Sequence, residues 1–162
     1  SNTIFAYLVN DPERYGVVVF NDEGEALEIL EKPDNQISRY AVTGLYFYDN
    51  TIIEKAKKVK PSSRNELEIS TINQMYLSEK NLNVELMGRG TAWLDTGTNE
   101  SLLEAGQFVP TLEHRQGLKI ACLEEIAFRC NYISLDDLKR LAYNYSKNNY
   151  GNYLNSLVKE LE

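Results

Sequence analysis

Trp93-Leu94-Asp95-Thr96-Gly97-Thr98 carries the sharpest chemical signal in the chain. The single tryptophan stands two places before a carboxylate that runs into a Gly-centred turn. In an extended segment, residues two apart project to one side. Trp93 and Asp95 would then give one pocket wall an aromatic plane for a ring and an oxygen ligand for a hard cation. The competing role for Asp95 is to cap the turn at Thr96-Gly97-Thr98.

Other candidates are weaker alone. In Tyr40-Ala41-Val42-Thr43-Gly44-Leu45-Tyr46, strand alternation puts Val42, Gly44 and Tyr46 on one face, where the glycine leaves either a notch for a ring or a bulge. Glu31-Lys32-Pro33 ends a strand with opposite charges. Pro33 lets Lys32 swing toward an anion while Glu31 accepts hydroxyl protons, unless the pair is a solvated strand end. In Arg14-Tyr15-Gly16-Val17, Tyr15 either stacks on a sugar or covers the core. Arg64 and Glu66 precede a helix, where an anion site and a cap compete. The one histidine, His114, has no nucleophile or orienting partner in sequence, which excludes a Ser-His-Asp or Cys-His reading. A Gly-rich phosphate-cradling loop opening a helix is also missing.

These residues need strands and turns to position them, and the first part of the chain supplies them. Strands are expected over 3–9, covered on both faces, and over 15–20, 26–32, 40–48 and 82–87. Asn21 to Gly24 forms a hairpin turn. Helices are expected over 51–59, capped by Asp49-Asn50, and over 66–79, with Leu67, Ile72 and Met75-Tyr76 for burial. After Thr98 the texture is helical. The stretch 99–115 has Leu102, Ala105, Val109 and Leu112 to pack inward, and Pro110 is expected to kink or split it. Three more helices follow over 123–129, 134–142 and 145–161, with Ser134 and Asp137 as a capping-box-like start. The division expected is residues 1–98 as a strand-rich part and 99–162 as a helical subdomain, within an α/β fold with a mixed sheet.

Bulk properties fit a globular enzyme without choosing one. The 162 residues are 43% hydrophobic, and 24 acidic against 17 basic residues give a net charge of −7. No basic stripe offsets that surplus, so neither nucleic acid nor an anionic membrane is expected as a partner. No signal peptide, lipidation motif or apolar run of spanning length is evident. Cys122 and Cys130 lack metal or redox spacing and read as reduced and semi-buried, so a cytoplasmic location is expected. Ser1-Asn2 reads as an appended leader, and a doubly covered strand starting at residue three suggests a chain cut from a longer one.

Taken in order, the motifs resemble those of glucose-1-phosphate thymidylyltransferases. They are Arg14-Tyr15-Gly16-Val17, Glu31-Lys32-Pro33, Tyr40 to Asp49, Glu66-Leu67-Glu68-Ile69, and Gly88-Arg89-Gly90 with Trp93 to Thr98. The tail adds Arg115-Gln116-Gly117-Leu118-Lys119, Glu124-Glu125-Ile126-Ala127 and Lys147 to Gly151. The resemblance spans essentially the whole chain, and the tail is its most specific part.

The resemblance implies the later part of a Rossmann-like nucleotide-diphospho-sugar transferase domain, lacking the N-terminal nucleotide-binding half. The implied reaction joins glucose-1-phosphate to dTTP with Mg²⁺, releases pyrophosphate and leads toward dTDP-rhamnose. Asp95 would be a metal ligand and, with Lys32, catalytic. Lys32 would meet the sugar phosphate. Tyr15, Gly16, Glu31, Val42, Gly44, Tyr46, Arg64 and Trp93 would line the glucose-1-phosphate side. Arg89, Lys119, Glu125, Ile126 and Arg129 would form an allosteric site for a dTDP-sugar, in a homotetramer. Such a fragment is expected to be inactive alone. The alternatives are a non-catalytic dTDP-sugar-sensing module or a pyrophosphorylase for another sugar phosphate. The chain departs from the family pattern at Asn65, beside Arg64, at Ser70-Thr71, and, on the side of the regulatory site, at Pro110 and Cys130-Asn131.

Overall fold

The computed structural model describes residues 2–161, which form two compact units meeting at Trp93/Leu94. The break falls five residues before the expected one at Thr98, and it separates Trp93 from Asp95. Trp93 is held by aromatic packing in the first unit, whereas Thr98 caps the first helix of the second. Among the described residues, no helix is long and apolar enough to cross a membrane.

The first unit is a five-stranded mixed sheet of order β3-β2-β4-β1-β5, formed by β1 (Asn2–Leu8), β2 (Gly16–Phe20), β3 (Ala26–Glu31), β4 (Tyr40–Phe47) and β5 (Leu82–Leu86). β5 runs parallel to β1, and the other pairings are antiparallel. The β2–β3 hairpin closes as expected. Gly24 takes the left-handed conformation (φ 84°) and Asn21 Oδ1 accepts from the Glu25 N–H at 2.7 Å. Helix α1 (Ile52–Ala56) is shorter than expected and α2 (Ile69–Ser78) starts later, because Glu68 is still extended (ψ 130°). Ile4, Ala6, Val18 and Ile29 form the sheet core, and Ile72 and Tyr76 of α2 are buried, whereas Leu67 is 69% exposed.

Two expectations about β1 are corrected. Burial alternates along it, with Ile4 and Ala6 inside and Phe5 and Tyr7 half-buried, so it is not covered on both faces. Its continuous apolarity arises because Phe5 and Tyr7 meet the rings of Phe47 and Trp93 instead of a second helical layer. Nor is Asn2 a dispensable leader. It is fully buried, accepts from the Asp49 N–H at 2.8 Å and donates to Asn81 O at 3.1 Å. Ser1 lies outside the described residues.

The second unit comprises α3 (Asn99–Gln116), α4 (Leu123–Arg129), α5 (Leu135–Asn144) and α6 (Asn149–Leu161). Its core is Cys122, Leu138, Ala142, Leu154, Leu157 and Val158, drawn from α4–α6 and their flanks. Burying each large aliphatic side chain contributes about 1.5–3 kcal/mol. Ser134 caps α5, accepting from the Asp137 N–H at 3.1 Å while Asp137 returns the bond. Gly151 lets α6 begin against the preceding turn, since a Cβ there would lie 1.9 Å from Tyr145 O.

α3 bears on the sequence reading twice. Of the two outcomes expected at Pro110 the split does not occur: α3 is one helix through it, and the carbonyl that proline leaves unpaired belongs to exposed Gly106, where water can satisfy it. The Leu102 stripe does not pack inward. Among the described residues α3 has none buried, and Leu102 is 58% exposed, because α4–α6 close a core without it. Cys130 is exposed, while Cys122 is buried with its Sγ 3.2 Å from the Tyr150 hydroxyl, whose proton goes to Glu124.

Candidate sugar-phosphate site

Glu31 ends β3 directly opposite Gly16 of β2, and this pair founds the site. A Cβ on Gly16 would meet Glu31 Oε2 at 3.1 Å, so the glycine makes room for the carboxylate. Ser70 at the start of α2 donates its hydroxyl to that oxygen. Next along the chain, Lys32 adopts φ 42°, the left-handed region, immediately before Pro33. Such a backbone costs roughly 1–3 kcal/mol in a non-glycine residue. The Lys32 N–H, donating to Tyr15 O at 3.0 Å, helps to hold it. The strand therefore ends by turning the Lys32 backbone out of the β3 alternation.

Tyr15, Gly16, Glu31, Val42 and Tyr46 line one small pocket of about 180 Å³. Arg14 and, from α2, Ile69, Ser70 and Asn73 complete its wall. Burial, and then the Glu31 charge, raise the Tyr46 phenol above its ordinary value, which keeps it a neutral donor at physiological pH. The guanidinium of Arg14 lies 5.3 Å from the Tyr15 ring centroid. A neighbouring cavity of about 580 Å³ shares Glu31 and Ser70. Its remaining wall includes Glu68 and Glu79, which oppose an anionic ligand, so the smaller pocket is the candidate for a sugar phosphate.

Four predicted residues stand outside that lining. Trp93 packs its ring 5.1 Å from Tyr15 and 5.9 Å from Tyr7, and so backs the pocket wall. Lys32 is exposed and tied to Tyr15 through its backbone. Arg64 reaches Glu31 at 3.7 Å but is bonded more closely to Glu66 (2.6 Å) and Glu68 (3.0 Å). Burial pulls its pKa down, but the Glu68 hydrogen bond and the three carboxylates outweigh it, leaving the guanidinium firmly charged. Arg64 thus orders a carboxylate cluster. Asn65 takes the left-handed conformation (φ 62°) that asparagine tolerates best after glycine. Gly44 lies where the register jumps from Ile4↔Tyr46 to Ala6↔Val42, so three β4 residues oppose one of β1. That is the bulge reading, and it leaves Val42 and Tyr46 on one pocket.

Asp95 belongs to the helical unit, where its Oδ1 accepts from the Gly97 N–H at 3.2 Å. Thr98 and Ser101 then exchange the capping-box bonds that open α3. The segment 91–96 has no regular structure, so the alternation argument for Trp93 and Asp95 does not apply. Among the described residues, no three His, Cys, Asp or Glu gather as a metal cage. Asp95 offers one hard oxygen donor, which suits Mg²⁺, an ion that commonly takes one or two carboxylates plus substrate phosphates.

The matching family model is Nucleotidyl transferase, over residues 1–111. The chain belongs to the nucleotidyl transferase family. It is 56% identical to the glucose-1-phosphate thymidylyltransferase of Neisseria meningitidis, over 98% of this chain and 55% of that protein. The enzyme of the same name from Xanthomonas campestris is 52% identical, over 97% and 53%. That from Mycobacterium tuberculosis is 53% identical, over 96% and 54%. A crystal structure of a Bacillus anthracis protein described as a glucose-1-phosphate thymidylyltransferase, with sucrose, superposes with TM-score 0.59. It is 40% identical and matches 66% of this chain and 42% of that one. The chain therefore spans about half the length of the curated relatives it matches.

Within this nucleotidyl transferase domain, sequence reasoning missed Ile69, Ser70 and Asn73. Spaced i, i+1 and i+4 at the start of α2, they lie along one side of it. A polar residue inside the stripe Ile69, Ile72, Tyr76 was the available signal. In the helical unit, buried Glu125 receives the Arg129 guanidinium at 2.8 Å and the Tyr153 hydroxyl, while Ile126 is 47% exposed. Lys119 pairs with Glu113, whose other oxygen accepts from the Ile120 N–H at 3.0 Å. The Lys119 hydrogen bond, then the Ile120 N–H, hold the Glu113 carboxyl below its ordinary value. Arg89 lies in the strand unit and is exposed. Cys130-Asn131 ends α4, with Asn131 left-handed (φ 59°).

Proposed function

We propose that this chain carries the sugar-phosphate side of a glucose-1-phosphate thymidylyltransferase site. The observation behind this reading is that five residues from three separated segments line one pocket beside Lys32. Glu31 accepts hydroxyl protons of the glucose ring. Tyr46 supplies a neutral donor, and Tyr15, backed by Trp93, gives an aromatic wall. Lys32 offsets the charge of the incoming phosphate. A phosphate oxygen of glucose-1-phosphate then attacks the α-phosphorus of dTTP in line, and pyrophosphate leaves, so positioning and charge neutralisation carry catalysis without a protein nucleophile. Asp95 would hold Mg²⁺, which when bound neutralises phosphate charge and acts as a template. No Gly-rich triphosphate loop occurs in this sequence, so the chain alone is expected to show no turnover.

Arg89, Lys119, Glu125, Ile126 and Arg129 are proposed to contact a dTDP-sugar effector, within a cytoplasmic homotetramer. At Lys119 and Arg129 the cations are already paired with carboxylates, so an effector diphosphate would have to displace Glu113 and Glu125.

Calorimetry on the chain tests the substrate assignment. Glucose-1-phosphate is expected to bind and dTTP to bind far more weakly. Lys32→Ala should weaken glucose-1-phosphate about tenfold, as loss of one charge-assisted contact does. Absence of glucose-1-phosphate binding, or an undiminished affinity in Lys32→Ala, would overturn the assignment of that wall.

A further inference from the structure

Asn73 is fully buried on α2 and lines the candidate pocket. Its Oδ1 accepts the Tyr48 hydroxyl, and Tyr48 is fixed between the stacked rings of Tyr46 and Tyr76. Its Nδ2 has no hydrogen-bond partner. Reversing the amide would give Nδ2 to Tyr48 and strand Oδ1, so either orientation leaves one amide atom unmatched. A buried, unpaired amide is costly in an apolar surrounding and marks a position held for something else. Leucine at 73 would extend the apolar run Ile69, Ile72, Tyr76 without that cost. The atoms around the pocket suggest what the amide awaits. Glu31 is an acceptor, and the Ser70 hydroxyl gives its proton to Glu31, so neither can donate to a ligand oxygen. A hydroxyl that gives its proton to Glu31 has lone pairs left over, and the Asn73 amide, on the same lining as the Tyr46 phenol, is a side-chain donor with protons to spare.

We propose that Asn73 is a specificity-determining residue of this pocket, donating Nδ2–H to one hydroxyl of the bound sugar. The proposal rests on the sugar-phosphate reading above and adds to it a recognised group. One ring hydroxyl is read as an acceptor, so a sugar lacking that hydroxyl is discriminated against. A site built to hydrogen-bond a hydroxyl rejects the analogue lacking it far better than an apolar pocket separates sugars by size.

The test is calorimetry on the whole chain with glucose-1-phosphate and its monodeoxy analogues. Tyr48→Phe is compared with the double variant Tyr48→Phe/Asn73→Leu, in which both partners of the buried pair become apolar at similar volume and folding is spared. Tyr48→Phe should bind glucose-1-phosphate within about twofold of the unaltered chain. The double variant should lose about tenfold or more. For one monodeoxy analogue the two variants should bind alike. Equal affinities for glucose-1-phosphate in the two variants would overturn the role of Asn73, as would the same loss across every analogue, the mark of a merely distorted pocket. If the unaltered chain fails to bind glucose-1-phosphate, the sugar-phosphate reading itself falls.

Discussion

In the strand unit, Asn73 Nδ2 at the pocket and Thr43 Oγ1, which does not line it, are buried without partners, and Glu31 shares its carboxylate between Ser70 and a distant Arg64. The helical unit is arranged otherwise. Buried Glu125 is engaged by both Arg129 and Tyr153, Glu124 takes the Tyr150 hydroxyl, and Lys119 is matched by Glu113. Since an unmatched buried polar group costs about 1–3 kcal/mol, the strand unit carries a penalty that the helical unit avoids. That asymmetry separates a surface prepared for a ligand from one that is complete as a scaffold. It also sets the two proposed sites apart. A sugar would finish bonds around Asn73, whereas a diphosphate on the tail must first break bonds already made.

The largest expected effect tests whether the helical unit is a scaffold in its own right. Gly151→Ala would drive a Cβ to within 1.9 Å of Tyr145 O and 2.3 Å of its carbonyl carbon, backbone atoms that cannot rotate away. A loss of roughly 3 kcal/mol or more is expected, at the high end for overpacking. The single tryptophan lies in the strand unit, so its fluorescence reports that unit while helical circular dichroism is weighted to the other. Denaturation should show the helical signal failing first and Trp93 unmoved. Coincident loss of both signals would mean that the two units fold as one.

A second test addresses the closed pairs. In Glu125→Gln the Tyr153 hydroxyl keeps an acceptor, but the Arg129 ion pair and the negative charge go, at an expected cost of about 1–2 kcal/mol at neutral pH. Burial, and then the Glu125 hydrogen bond, push the Tyr153 phenol up from 10.0 to about 12. A phenol whose folded pKa is raised stabilises the fold fully below its unfolded value and loses that contribution as pH climbs through the folded one. The alkaline loss, which runs between pH 10 and 12, should therefore be smaller and end at lower pH in the variant, because one of the causes of the raised folded value has been removed. Tyrosine ionisation followed near 295 nm against pH, alongside melting, measures it. An unchanged alkaline limb would mean that Glu125 contributes nothing and leave burial as the chief cause.

Legibility in the sequence divides along the same line. Local chemistry was readable: the Asn21–Gly24 turn, the Ser134–Asp137 capping box and the span of α4 all follow from short-range rules. The β-strand residues of the pocket were readable too, because alternation assigns faces and the motifs supplied identities. The contribution of α2 was not, since a serine and an asparagine near a helix start read as solvent-facing until the sheet is known to cover them. Lys32 φ was hidden because a residue before proline is expected to be extended. The free face of α3 was hidden because amphipathic spacing shows which side can be buried and not whether anything buries it.

A smaller pair of changes sharpens the pocket. Gly16→Ala meets only the far end of Glu31, which can shift by a few tenths of an ångström, so stability should fall by less than about 1 kcal/mol. The displaced carboxylate should nonetheless weaken glucose-1-phosphate binding several-fold. Gly44→Ala meets open space at a bulge and should alter stability by no more than about 0.5 kcal/mol in either direction. If Gly44→Ala weakens the ligand as much as Gly16→Ala does, the bulge is itself part of the binding wall, as the family resemblance implies.

The smallest effect on the fold is expected from Arg129→Ala, and it probes the comparison at its weakest point. Arg129 is 61% exposed and paired with Glu125 four residues earlier. Exposed i,i+4 pairs contribute about 0.3–0.5 kcal/mol, so melting should hardly change. Tyr153 still holds Glu125 from within the unit, which limits the cost of leaving that carboxylate with one partner fewer. The proposed effector role predicts something separate from stability. A guanidinium matches a diphosphate in two places, so its loss should weaken a dTDP-sugar by far more than it weakens the fold. Calorimetry with dTDP-rhamnose on the unaltered and Arg129→Ala chains compares the two directly. A marked fall in affinity with an unmoved melting point would show that the closed pairs of the helical unit open for a ligand, and the contrast with the pocket becomes one of degree. Equal affinities would leave Arg129 as a surface ion pair and the helical unit as scaffold alone.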